Sequence, residues 1–183
     1  AGVASELPAG NPGKIKWHTA NNTGAFNIPF INNSNVVIPV TLSVTQPGSA
    51  GGFLTFSTYR TPPDNTPYPP GVTNLFNNTG QDVSSKIIDR FWIINASNYT
   101  QNPVSDVTVT YQQSEAVNIN EALLQSFNWC GTEWNTGNTL FVDALTNKVQ
   151  FSGEDHYGPL FVSEAFAPQE VMIASLNISE PTC

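Results

Sequence analysis

Positive charge is scarce in this 183-residue chain, which carries six Lys and Arg against fourteen Asp and Glu, a formal net charge of -8. The six cations are scattered, so the clustered basic footprint that neutralises phosphates is missing. Nucleic acid is excluded as a partner on that ground, and an anionic membrane surface is disfavoured. Charge of either sign is thin: 11% of residues, against roughly a quarter in an ordinary soluble protein. Asn, Thr, Ser and Gln supply the polarity instead, a composition that suits extracellular β-proteins. No apolar run approaches the roughly 18 residues of a membrane-spanning helix, so no membrane insertion is expected. The chain opens Ala1-Gly2-Val3 without Met, as expected of a processed mature form.

Cysteine and histidine are nearly as rare, with two of each. Cys130 and Cys183 form no CxxC or metal-spaced cluster. If they pair, the closed loop of about fifty residues stabilises the fold by about 4 kcal/mol; two free thiols remain the alternative. His18 and His156 come with no nucleophile-elbow pattern, and Cys130 has no basic neighbour to lower its pKa. The chain is read as non-enzymatic and without a cofactor; a glycosidase built on a carboxylate pair is the best enzymatic alternative.

What is present reads as β-structure. Asp89-Arg90-Phe91-Trp92-Ile93-Ile94-Asn95 places four large apolar residues in a row, which predicts a central strand buried on both faces. Asp106 to Tyr111 alternates apolar and hydroxyl side chains, the pattern of a half-buried strand. Residues 1–13, rich in Gly and Pro, predict an extended arm, and 14–183 a single domain. Strands are expected at Lys14–His18, Ala25–Phe30 and Val36–Thr45, the last with Val36, Ile38, Val40, Leu42 and Val44 inward. The Pro-Gly and Gly-Gly connector at 47–51 predicts a hairpin to Gly52–Tyr59. The proline cluster of residues 61–80 predicts a long loop crossing between sheets. Glu115–Phe127, with Asn118 as cap, fits a short helix and a strand equally well, and Phe127–Trp134 predicts a hairpin around Cys130-Gly131. Roughly ten or eleven strands in all give an all-β fold, a two-sheet antiparallel sandwich with at most one short helix.

Candidate sites are few. Glu154-Asp155-His156, bounded by Gly153 and Gly158, is the densest ligand-capable cluster; its carboxylates and imidazole suit a metal, although the spacing of a calcium loop is absent. Trp129, Trp134 and Tyr157, with Tyr68 and Tyr99, are candidates for stacking on sugar rings; core filling is the competing reading. Sequons start at Asn21, Asn32, Asn77, Asn95, Asn98 and Asn177, at positions that turn chemistry explains equally well.

Residues 86–134 resemble a β-sandwich module of large secreted cell-surface proteins of Bacteroidetes-type bacteria. The matching residues run Ile88-Asp89-Arg90-Phe91-Trp92-Ile93-Ile94, Tyr99, Pro103, then Val107 to Tyr111, Glu115, Ile119-Asn120-Glu121 and Leu124-Gln125. They end with Phe127-Asn128-Trp129 and Gly131-Thr132-Glu133-Trp134. The chain departs from the pattern at Cys130, where the family has Asn or Gly, and after Phe30, where its Gly is missing. The resemblance implies export by the type IX route, a structural or adhesive role, and removal of a sorting domain beyond Cys183. It carries no catalytic residues. The expected function is that of an extracellular structural or adhesive subunit, self-assembling into a surface fibre by pairing the N-terminal arm or Val171–Ile178 with a neighbour's sheet edge. The alternative is a carbohydrate-binding module with glycans as partners.

Overall fold

A computed structural model describes residues 4–6, 12–19 and 21–165. Thirteen strands follow in chain order: β1 Ala4–Ser5, β2 Ile15–Trp17, β3 Gly24–Ile28, β4 Phe30–Ile31, β5 Val40–Gln46, β6 Phe53–Arg60, β7 Arg90–Ser97, β8 Val104–Thr110, β9 Leu124–Trp129, β10 Trp134–Thr136, β11 Thr139–Asp143, β12 Lys148–Glu154 and β13 Pro159–Glu164. They build a six-stranded sheet, β10-β9-β13-β7-β6-β2, packed on a five-stranded sheet, β11-β12-β8-β5-β3. Every pairing within these two sheets is antiparallel. The all-β sandwich expected from the sequence is the fold observed.

Alternation assigns each side chain to a layer. In β7, Trp92 and Ile94 enter the core between the sheets, joined there by Leu42 and Val44 of β5 and Val107 and Val109 of β8. Phe91 and Ile93 point the other way, into a second core with Tyr59, Phe127, Trp134 and Phe161. The uninterrupted apolar run in β7 exists because both faces of this sheet are covered.

The cover on the second face is the proline-rich segment. It leaves β6 and returns into β7, its direct neighbour, so it does not cross between sheets as expected; it folds back over its own sheet. Val72, Leu75, Val83 and Ile87 supply its apolar underside. Prolines leave its backbone few donors, and side chains hold it down: Tyr59 Oη donates to Pro67 O at 2.8 Å, Trp134 Nε1 to Asn74 O at 2.8 Å, and Asn65 Nδ2 to Ser84 O at 2.8 Å. The 47–52 connector, read from sequence as a hairpin, does cross between sheets: β5 lies in one sheet and β6 in the other. Its glycines serve a close approach. A Cβ on Gly48 or Gly52 would collide with Tyr99, whose ring lies against both.

Two further expectations are corrected. Val36 and Val37 are exposed, and β5 begins only at Val40; Asn32 Oδ1 accepts from Ser34 N and Val36 N and holds the preceding residues in a turn, while Pro39 has no donor for a ladder. Glu115–Phe127 is not a helix but two 3₁₀ turns, Gln113–Glu115 and Glu121–Leu123, leading into β9. A helix would place Leu124 and Phe127 on one face. In the strand they part, Leu124 to the inter-sheet core and Phe127 to the second one.

Arg90, at the entry of β7, is fully buried. Its guanidinium grips Glu115 twice, Nε to Oε2 at 2.8 Å and Nη2 to Oε1 at 2.6 Å, and donates to Thr58 Oγ1 at 3.0 Å and Glu6 Oε2 at 2.9 Å. The other Glu6 oxygen accepts from Arg60 N at 2.8 Å. Within the segment expected as an extended arm, residues 4–6 are therefore anchored on their own chain, with β1 paired in parallel to β4. Removing Glu115 strands a buried cation with half its partners. Glu115→Ala is expected to cost about 3–5 kcal/mol in urea unfolding; a loss below about 1 kcal/mol, the size of an exposed pair, would contradict this role.

Candidate functional site

The loop cover over the six-stranded sheet is incomplete. It seals the β13, β9 and β10 side and ends, over β6 and β7, at Tyr68 and Pro70, leaving a cavity of about 340 Å³. Register builds its floor: Ser57 of β6 lies opposite Ile93 of β7, which lies opposite Pro159 of β13. Asn95, two residues along β7, faces the same side, and Pro12 and Lys14 close the end nearest β2. The Tyr68 wall is fixed from behind. Its ring meets Phe91 edge-on at 6.4 Å, and Tyr59, whose hydroxyl burial pushes to a higher pKa, ties down the carbonyl of adjoining Pro67.

The sugar-stacking candidates separate. Trp134 is completely buried and Trp129 nearly so, packed on each other at 5.1 Å within the second core. Neither offers a ring face for stacking, because the proline-rich loop covers them. Tyr157 is pinned, its hydroxyl donating to Pro103 O at 2.9 Å and lying 2.7 Å from Ser105 Oγ. Tyr99 fills the space left by Gly48 and Gly52, 3.1 Å from Thr19 Oγ1. Tyr68 is the one of the five that lines the cavity.

The Glu154-Asp155-His156 cluster does not converge. Glu154 turns inward, where Asn128 Nδ2 donates to its Oε2 at 2.7 Å, while Asp155 and His156 pair with each other in solvent. Among the described residues no group of three or more His, Cys, Asp or Glu is placed to hold a metal. Cys130 is exposed at the β9–β10 turn, where Asn135 Nδ2 donates to its Sγ at 3.0 Å; Cys183 and Asn177 lie outside the described residues, as does Val171–Ile178. Asn32 and Asn77 spend their side-chain oxygens on turn N–H groups, whereas Asn21, Asn95 and Asn98 are exposed.

A second surface feature is the rim of the five-stranded sheet. β11 is an edge strand exposing Leu140 and Phe141, followed by Leu145, 97% exposed at the hairpin tip. The tip is held in shape by Asp143, whose Oδ1 accepts from Leu145 N at 3.0 Å and Thr146 N at 3.2 Å. The opposite rim is β3. Neither strand contains Lys or Pro, the residues that usually blunt an edge. Pro29 in the Ala25–Phe30 run argues from sequence for an edge strand, and β3 is a rim. Sequence reasoning missed the β11 rim and the cavity, because no local pattern brings Ser57, Asn95 and Lys14 together.

Comparison of the chain with protein-family models, curated proteins and solved structures finds no match.

Burial is the largest influence on Glu154 and pushes its carboxyl above the usual range, against the opposing Asn128 hydrogen bond. A raised folded pKa means that the folded state holds the proton longer, so stability falls as pH rises through the window above about 4.5. Glu154→Gln removes that loss, and its amide has the unpartnered Asn128 Oδ1 to meet. Thermal melts are expected to show the variant more stable than wild type at pH 7, with the gap closing below pH about 4.5. A gap that widens on acidification would contradict the assignment.

Proposed function

We propose that this chain is an extracellular structural or adhesive subunit, without catalytic activity, that assembles by pairing sheet edges between copies. The observation that carries this reading is the pair of nearly uncharged rims on one sheet, unpaired among the described residues: β3 with no charge, and β11 with Asp143 alone beside exposed Leu140 and Phe141. Exposed apolar edges are templates for another strand. The two rims are related by a simple rule. Four successive antiparallel pairings separate β11 from β3, so the first and last strands run the same way. A head-to-tail repeat therefore lays β11 of one copy parallel to β3 of the next, a contact that need not close and that grows into a fibre. Low charge and the resemblance of residues 86–134 to secreted surface modules support an extracellular setting and type IX export.

Purified protein is expected to form concentration-dependent linear assemblies in light scattering and electron microscopy. Phe141→Lys on one rim and Ala25→Lys on the other are each expected to raise the concentration needed roughly tenfold, the equivalent of about 1.4 kcal/mol per contact. A wild-type protein that stays monomeric at high concentration, or variants that assemble like it, would overturn the reading.

A further inference from the structure

We infer that the cavity between the proline-rich loop and the β6–β7 face binds a neutral saccharide, with Tyr68 as the stacking wall and Ser57, Asn95 and Lys14 as hydrogen-bonding groups. This site is separate from the sheet rims and does not depend on assembly.

Unused polarity points to the ligand. Lys14, Ser57, Tyr68 and Asn95 line one concavity, and none of their side-chain polar groups has a hydrogen-bond or ion-pair partner on the chain among the described residues. Ser57 is only 4% exposed as a residue, yet its hydroxyl is not a sealed orphan; its remaining opening is the cavity. Of the four only Ser57 is buried. Most polar groups so deep in a fold have partners, so its free hydroxyl at the floor of a cavity with Tyr68, Asn95 and Lys14 at the walls is equipped for something that arrives from outside. At about 340 Å³ the space lies at the small end of ligand pockets, which run from roughly 300 to 1,000 Å³.

The lining selects the chemical class. Among the described residues no carboxylate borders the cavity, so a cation has nothing there to neutralise it. One exposed Lys in a chain of net charge -8 makes a poor receptor for a polyanion. What remains is a hydroxyl, an amide and an ammonium set among ring and pyrrolidine surfaces, namely Tyr68, Pro12, Pro70 and Pro159. A sugar ring matches both halves, with hydroxyls for the former and an apolar C–H face for the latter. Tyr68 is already held by Phe91 and by the Tyr59–Pro67 hydrogen bond, so little ordering opposes binding. Asn95, a sequon residue by sequence, is in this arrangement a ligand contact.

The test is calorimetric titration of the whole chain, produced without glycosylation, with neutral gluco-, manno- and galacto-oligosaccharides and with an oligouronate. Wild type is expected to bind at least one neutral series. Asn95→Ala and Ser57→Ala, which leave the core untouched, should each weaken that binding about tenfold, and Tyr68→Ala should abolish it. Matched melting curves for the first two variants keep the result independent of folding. Leu145→Ser, on the remote hairpin tip, should bind as wild type does. No binding of any neutral sugar, equal binding by all variants, or binding confined to the uronate and lost only in Lys14→Ala would each overturn the inference.

Discussion

Burying a guanidinium is costly, and the rest of this structure is arranged around the one at Arg90. Water is fully excluded from its side chain, and two carboxylates and a hydroxyl replace it. Burial alone would lower the Arg90 pKa; the hydrogen bonds and charges of Glu115, then Glu6, outweigh that effect and hold it above the ordinary value. The partners come from distant parts of the chain. Glu6 precedes β2, Thr58 lies in β6, and Glu115 closes a 3₁₀ turn whose other end is capped when Gln112 N donates to Glu115 Oε2 at 3.0 Å. A neutral Arg90–Glu115 pair would suffice for charge. Adding Glu6 recruits the N-terminal segment, and that segment then seals the end of β6 through Arg60 N.

The second organising constraint is that, among the described residues, the six-stranded sheet has no partner sheet on its outer face. Prolines make a segment unfit for a ladder but well suited to an ordered cover, because the cover needs few donors of its own. Covering by loop, however, is never as complete as covering by sheet. The aromatic end, Phe127, Trp129, Trp134 and Phe161, is closed, while the end over Ser57 and Asn95 stays open and polar. The cavity is the unfinished part of that second core.

Much of this was legible in the sequence where the reason was local. Four large apolar residues in β7 required two covered faces, and two cores are present. The turn around Cys130-Gly131 was written in its glycine, which adopts a positive φ of 88°. What failed was connectivity. A glycine-rich connector looked like a hairpin because composition reports flexibility and not destination; its glycines answer to Tyr99, some fifty residues away. The proline cluster looked like a crossover for the same reason. Among site residues, Tyr68 was named as an aromatic in a loop. Trp129 and Trp134 were legible only as large rings whose burial depends on a loop that closes from far away in sequence.

Native-state hydrogen exchange tests most directly whether Arg90 ties these segments into one unit. The amides of Glu6, Arg60, Asp89 and Gln112 are each held within this cluster: they donate to Ile31 O, Glu6 Oε1, Glu115 O and Glu115 Oε2. The account expects all four to exchange together with the amides of β7, at the free energy of global unfolding. Exchange of Glu6 and Arg60 at the rate of an exposed loop, uncoupled from β7, would contradict it.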